Sequence, residues 1–95
     1  MSRLYVISPP KIELDNFTEK LKEMFSGGDI ACFQLRLKDM PKDQIKKAIE
    51  RLMPICHKNN AAFIVNDDIE TASEMGCDGV HIGRMTELER QGLLK

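Results

Sequence analysis

Short apolar runs alternate with stretches whose apolar residues recur every three or four positions, and the pattern repeats along the whole chain. The runs are "RLYVIS" at 3–8, about 30–38 around "ACFQLRLKD", "AAFIVND" at 61–67 and "GVHIG" at 79–83. Each predicts a strand. Pro9 and Pro10 end the first. A helix is then expected from a cap at Asp15 or Asn16, with Phe17, Leu21, Met24 and Phe25 on one face. Gly27 and Gly28 are expected to stop it by taking the left-handed conformation. Pro41 marks the start of a second helix carrying Ile45, Ala48, Ile49, Leu52, Met53 and Cys56. Pro54 should kink that helix late, and His57 suits the negative end of its dipole. A third, short helix follows Asp67 or Asp68 through Ile69, Ala72 and Met75, closed by Gly76. "TELERQGLLK" at 86–95 opens a fourth. Strands that alternate with helices predict an α/β fold, a parallel sheet in either a (β/α) barrel or a doubly wound arrangement.

The second run has a feature that apolar burial does not explain. Residues two apart on a strand share a face. Phe33, Leu35 and Leu37 therefore face the helices, while Gln34, Arg36 and Lys38 face the other way. At about 3.3 Å per residue this polar ladder climbs roughly 13 Å if the strand runs through Lys38. Parallel α/β folds bind ligands where the carboxyl ends of strands meet the following loops. The other strand ends there are polar too: Ser8 on the first, Asn66, Asp67 and Asp68 on the third, and His81, Gly83 and Arg84 on the fourth. Two cations in a partly enclosed site are costly unless an anion meets them. Arginine grips phosphate through a planar fork, and lysine adds a point charge. With Asp67 beside them, a diphosphate carrying Mg²⁺ is the simplest common ligand. The alternative is an internal salt bridge from Arg36 to Asp67 or Asp39.

Composition narrows the classes without choosing among them. Ninety-five residues make at most one domain, here 1–95. A net charge of -1 and five aromatic side chains give no basic, aromatic-interleaved surface for nucleic acid or an anionic membrane. No apolar stretch reaches the roughly 18 residues of a membrane span, and the apolar run at the start is too short for a signal-peptide core. Cys32, Cys56 and Cys77 are odd in number and scattered, which reads as reduced core thiols of a cytoplasmic protein.

"QLRLK", "VND" and "GCDGVHIG", in that order on three successive predicted strands, resemble the thiamine-phosphate synthase family, a branch of the thiamine monophosphate synthase and thiazole tautomerase superfamily. "RLYVIS" and the paired glycines before the second strand fit the same family, so that the likeness runs from residue 3 to about 84. The resemblance implies a TIM barrel, here its first four βα units. It also implies a transferase that joins 4-amino-2-methyl-5-hydroxymethylpyrimidine diphosphate to thiazole phosphate, giving thiamine phosphate and diphosphate. By position, Gln34, Arg36, Lys38, Asn66 and His81 would contact the pyrimidine diphosphate, and Asp67 would be a Mg²⁺ ligand. The implied step is dissociative: diphosphate leaves, and the thiazole nitrogen captures a stabilised pyrimidine methylene cation. Such chemistry needs charge neutralisation on the leaving group and no nucleophilic side chain.

Three features depart from the family pattern. Asp68 stands where the family usually has arginine. Thr86 stands where the family has a second acidic metal ligand, with Glu87 one place late. This weakens the expected Mg²⁺ site, with Asp68 or Glu87 as candidate replacements. A TIM barrel takes about 250 residues, so four units are half of one. The chain alone is expected to be inactive as a synthase, and to self-associate through its open sheet, require another half, or be poorly stable. The competing readings are a non-catalytic or degenerate phosphate-binding relative, and a thiazole tautomerase-like protein.

Overall fold

The computed structural model describes residues 4–82. Seven elements follow one another: β1 (Leu4–Ile7), α1 (Leu14–Gly27), β2 (Ile30–Leu35), α2 (Lys42–Lys58), β3 (Ala62–Asn66), α3 (Ile69–Met75) and β4 (Gly79–His81). The expected alternation of strand and helix is thus present over these residues; the fourth helix expected at 86–95 lies outside them. The strands form one parallel sheet in the order β1-β2-β3-β4. The helices share one apolar layer with the sheet, as the right-handed crossover rule implies when each strand pairs with the next. That is the arrangement of barrel units rather than of a doubly wound sheet, whose strand order reverses.

The apolar periodicity explains the layer between helices and sheet. Phe33 and Leu35 of β2 and Phe63 and Val65 of β3 are buried against Phe17 and Leu21 of α1 and Ala48, Ile49, Leu52 and Cys56 of α2. Phe17, Phe33 and Phe63 make a tilted aromatic row with centroids 5.8 and 5.7 Å apart, a spacing at which ring quadrupoles attract. Burying a residue of this kind contributes about 1.5–3 kcal/mol. The row therefore carries a large share of the core.

Ion pairs run across the outer helix surface. Arg51 of α2 reaches Asp15 of α1 at 3.2 Å, and Lys42 and Lys46 reach Glu70 and Glu74 of α3 at 2.9 and 2.6 Å. These side chains are mostly exposed, so each pair adds little stability.

Local chemistry sets the boundaries and corrects several expectations. Glu13, not Asp15 or Asn16, caps α1, its carboxylate accepting the Asn16 N–H at 2.8 Å. Gly28 ends α1 in an extended conformation, φ −158°. Its lack of a side chain matters for space instead, since a Cβ there would lie 3.3 Å from Leu4 Cδ1. α2 follows Pro41 directly and runs through Pro54 as one element. Asp68 caps α3, accepting the Thr71 N–H at 3.0 Å, and Gly76 closes it with φ 73°. Strand β2 ends at Leu35, so Arg36 and Lys38 lie on the segment beyond it rather than on a strand reaching residue 38.

At the opposite end of the sheet, Asp78 fastens three elements. One carboxylate oxygen accepts the Phe63 N–H at 2.7 Å and meets His57 Nε2 at 2.7 Å, while the Asp78 N–H donates to the Phe63 carbonyl at 2.9 Å. His57 therefore ties the end of α2 to the start of β3.

Candidate functional site

The sheet face turned away from the helices carries the other half of each alternation. Register pairs Tyr5 with Cys32, Ile7 with Gln34, Gln34 with Ile64, and Asn66 with His81. Tyr5, Ile7, Gln34, Arg36, Asn66 and His81 line a cleft of about 480 Å³ on this face. Four of the residues singled out in the sequence, Gln34, Arg36, Asn66 and His81, thus meet in one place. Lys38 is exposed, and neither it nor Asp67 is part of that lining.

A directed row of hydrogen bonds crosses the floor. Tyr5 Oη donates to Gln34 Oε1 at 2.9 Å, Gln34 Nε2 donates to Asn66 Oδ1 at 2.9 Å, and Asn66 Nδ2 donates to Asp67 Oδ2 at 3.0 Å. The carboxylate fixes this direction. An ionised carboxylate only accepts, so Asn66 must present its nitrogen to Asp67 and its oxygen to Gln34. Gln34 must then turn its own oxygen to the tyrosine. Bonds aligned in one sense polarise each other. Gln34 is only 3 % exposed, whereas Tyr5 and Ile7 are 54 % and 52 % exposed, so the row has a rigid middle and an open rim. Each amide nitrogen keeps a second N–H with which to meet a ligand oxygen.

Arg36 supplies the cation. It is half-buried at the cleft, and among the described residues it makes no ion pair, with Asp39, Asp67 or any other acid. Its backbone is held firmly: the Arg36 N–H donates to Ser8 Oγ at 2.8 Å. Lys38 continues the pattern, its N–H donating to the Pro10 carbonyl at 3.0 Å. An arginine held in place beside two side-chain amides can bind an oxyanion through several hydrogen bonds at once.

The acids differ in what they are available to do. Asp67 takes a left-handed backbone, φ 60°, at the end of β3, and its N–H donates to the His81 carbonyl at 2.7 Å. The Asp68 carboxylate is committed to the α3 cap. Burial would raise its pKa, yet the Thr71 N–H and the nearby Lys42 and Lys46 hold it below the usual carboxylate value. The cap engages one Asp68 carboxylate oxygen, Oδ1, with a backbone amide. Among the described residues no three His, Cys, Asp or Glu side chains converge as a metal cage would require. Asp67 alone fits Mg²⁺ only in the manner in which that ion uses one carboxylate together with phosphate oxygens and water. Arg84, Thr86 and Glu87 lie outside the described residues.

Tyr5 is the participant that sequence reasoning missed. Its signal was present: in "LYVI" it shares a face with Ile7, the residue that pairs with Gln34. The three cysteines are free, as expected, and none lines the cleft. Burial pushes the Cys56 thiol up to about 12.

Comparison with known proteins agrees with the motifs. Residues 4–91 match the family model described as thiamine monophosphate synthase. Thiamine-phosphate synthase of Rhodospirillum centenum is 45% identical over 82 residues, spanning 86% of this chain and 40% of the relative. That of Hyphomonas neptunium is 38% identical over 89 residues, spanning 86% and 39%. In three dimensions, thiamine phosphate pyrophosphorylase from Pyrococcus furiosus superposes with a TM-score of 0.70 at 25% identity, covering 97% of this chain and 46% of that one. The chain thus spans about two fifths of the length of the curated relatives it matches.

Proposed function

The chain belongs to the thiamine monophosphate synthase family, and on that premise we propose that its cleft is the diphosphate-binding part of a thiamine-phosphate synthase site. The reaction would condense 4-amino-2-methyl-5-hydroxymethylpyrimidine diphosphate with thiazole phosphate, releasing diphosphate. Residues 1–95 would form one partial (β/α) domain contributing its first four βα units. The observation that carries this reading is the convergence of Gln34, Arg36, Asn66 and His81 on one cleft whose arginine has no internal counter-ion among the described residues.

In this reading Arg36 neutralises charge that grows on the leaving diphosphate, and Lys38 stands outside the cleft as a longer-range cation. Gln34 and Asn66, oriented by the row from Tyr5 to Asp67, present N–H groups to phosphate or pyrimidine atoms. His81 closes the side formed by β4. Asp67 would hold Mg²⁺ jointly with the substrate, and the ion would supply further charge neutralisation. Three free thiols suit a cytoplasmic protein, and no helix among the described residues is long and apolar enough to cross a membrane.

A second reading, a phosphate-binding relative without turnover, is favoured by Asp68, an acid engaged in the α3 cap at the position where the resembled family usually has arginine. Calorimetric titration combined with a turnover assay separates the two. Binding of the pyrimidine diphosphate with no thiamine phosphate formed on adding thiazole phosphate selects the second reading. No binding of the pyrimidine diphosphate at all contradicts both. Proton transfer in the thiazole without diphosphate loss would identify a tautomerase instead.

A further inference from the structure

Ser8 is buried, 3 % exposed, immediately past the end of β1, and its hydroxyl makes two bonds. It accepts the Arg36 N–H at 2.8 Å and donates to the Pro9 carbonyl at 3.0 Å. Its own N–H donates to the Gln34 carbonyl at 2.9 Å. The pairing of the first two strands therefore does not stop where the strands do. Beyond Ile7 the chain reads Ser8-Pro9-Pro10, and the prolines have no N–H to offer a partner. The segment on the other side still has two amide protons to satisfy, those of Arg36 and Lys38. The Ser8 hydroxyl takes the first and the Pro10 carbonyl takes the second.

From this we infer that Ser8 is a positioning residue: its hydroxyl stands in for a strand carbonyl and fixes the backbone of Arg36, so that the guanidinium lines the cleft at the height of Gln34 and Asn66. Ser8 is not part of the cleft lining and acts only through Arg36. At this place the Arg36 N–H takes its acceptor from a side chain, whereas the Lys38 N–H takes a backbone carbonyl. The same prolines restrict the backbone after Ser8, so that little conformational freedom is lost in holding the hydroxyl there. The inference rests on the diphosphate reading of the cleft and adds to it the device that aims its cation.

The test is a four-variant cycle with inorganic diphosphate as the probe, titrated into the parent, Ser8→Ala, Arg36→Ala and the double variant. Ser8→Ala is expected to weaken binding roughly tenfold, the size of one lost charge-assisted bond. Arg36→Ala is expected to weaken it at least as much, and the double variant no further than Arg36→Ala alone. Ser8→Thr, which keeps the hydroxyl, should restore binding. Faster amide exchange at Arg36 in Ser8→Ala, with protection in β3 unchanged, is the local signature. Ser8→Cys, similar in size but a poor acceptor, replaces Ser8→Ala if that variant does not fold. If Arg36→Ala weakens binding and Ser8→Ala does not, or if the two losses simply add, Ser8 has no positioning role while the diphosphate reading stands. If the parent itself does not bind diphosphate, both fall.

Discussion

Asp78 offers the most quantitative check on how this sheet is held. Replacing it with alanine removes the acceptor of the Phe63 N–H and the partner of His57, both at 2.7 Å. The first loss dominates. Phe63 is fully buried, and an amide stranded in such a place costs about 1–3 kcal/mol. The ion pair adds less: the His57 and Asp78 side chains are 43% and 40% exposed, and pairs in that setting contribute on the order of 0.5 kcal/mol. Asp78→Ala should therefore lower stability by about 2 kcal/mol. Asp78→Asn keeps an acceptor oxygen and should cost under about 1 kcal/mol.

The pH dependence gives a second reading of the same contact. The Phe63 N–H, and then His57, hold the Asp78 carboxyl below its usual 3.8 against the opposing effect of burial. A carboxyl depressed on folding contributes stability above its unfolded value and loses it as pH falls through the folded one. The gap between parent and Asp78→Ala should thus narrow as the pH falls below 3.8. Urea unfolding at a series of pH values measures both quantities. Equal stability of the alanine and asparagine variants, or a gap that widens in acid, would refute the reasoning.

Other outcomes follow from single contacts. Asp68→Ala should destabilise by about 1 kcal/mol through loss of the α3 cap, with Asp68→Ser retaining most of it, as thermal unfolding would report. Gly76→Ala should cost about 1–2 kcal/mol for conformation alone, because nothing lies within 4 Å of the added Cβ while φ is +73°. In native alkylation followed by mass spectrometry, Cys77 should react before Cys56, whose thiol is buried and pushed up to about 12. Arg36→Ala should weaken diphosphate binding more than Lys38→Ala, since only Arg36 lines the cleft, and competition titration would rank them.

What the sequence made legible was whatever depended on periodicity or on one residue's backbone chemistry. The alternation through Phe33, Leu35 and Gln34 separates core from cleft correctly, and the Asp68 carboxylate and the missing Cβ of Gly76 bracket α3. Exact cap positions and interactions between distant residues were not legible. Glu13 caps α1 because that is where the turn begins, although Asp15 and Asn16 are equally good capping types. Strand β2 looked longer because Arg36 and Lys38 keep its alternation, but opposite them Pro9 and Pro10 have no N–H to donate and the ladder ends at Leu35. Tyr5 reads as one more apolar residue until Gln34 is placed beside it, and the bond from His57 to Asp78 joins positions 21 residues apart.

The central claim is where the phosphates sit, and a titration of inorganic diphosphate into isotopically labelled protein tests it most directly. The side-chain amides of Gln34 and Asn66, the Arg36 guanidinium and the His81 ring should shift together and saturate at one stoichiometry. Shifts confined instead to the groove between the ends of α1 and α2, around Lys22, Lys58 and Asn59 where a smaller cleft of about 280 Å³ lies, would contradict it.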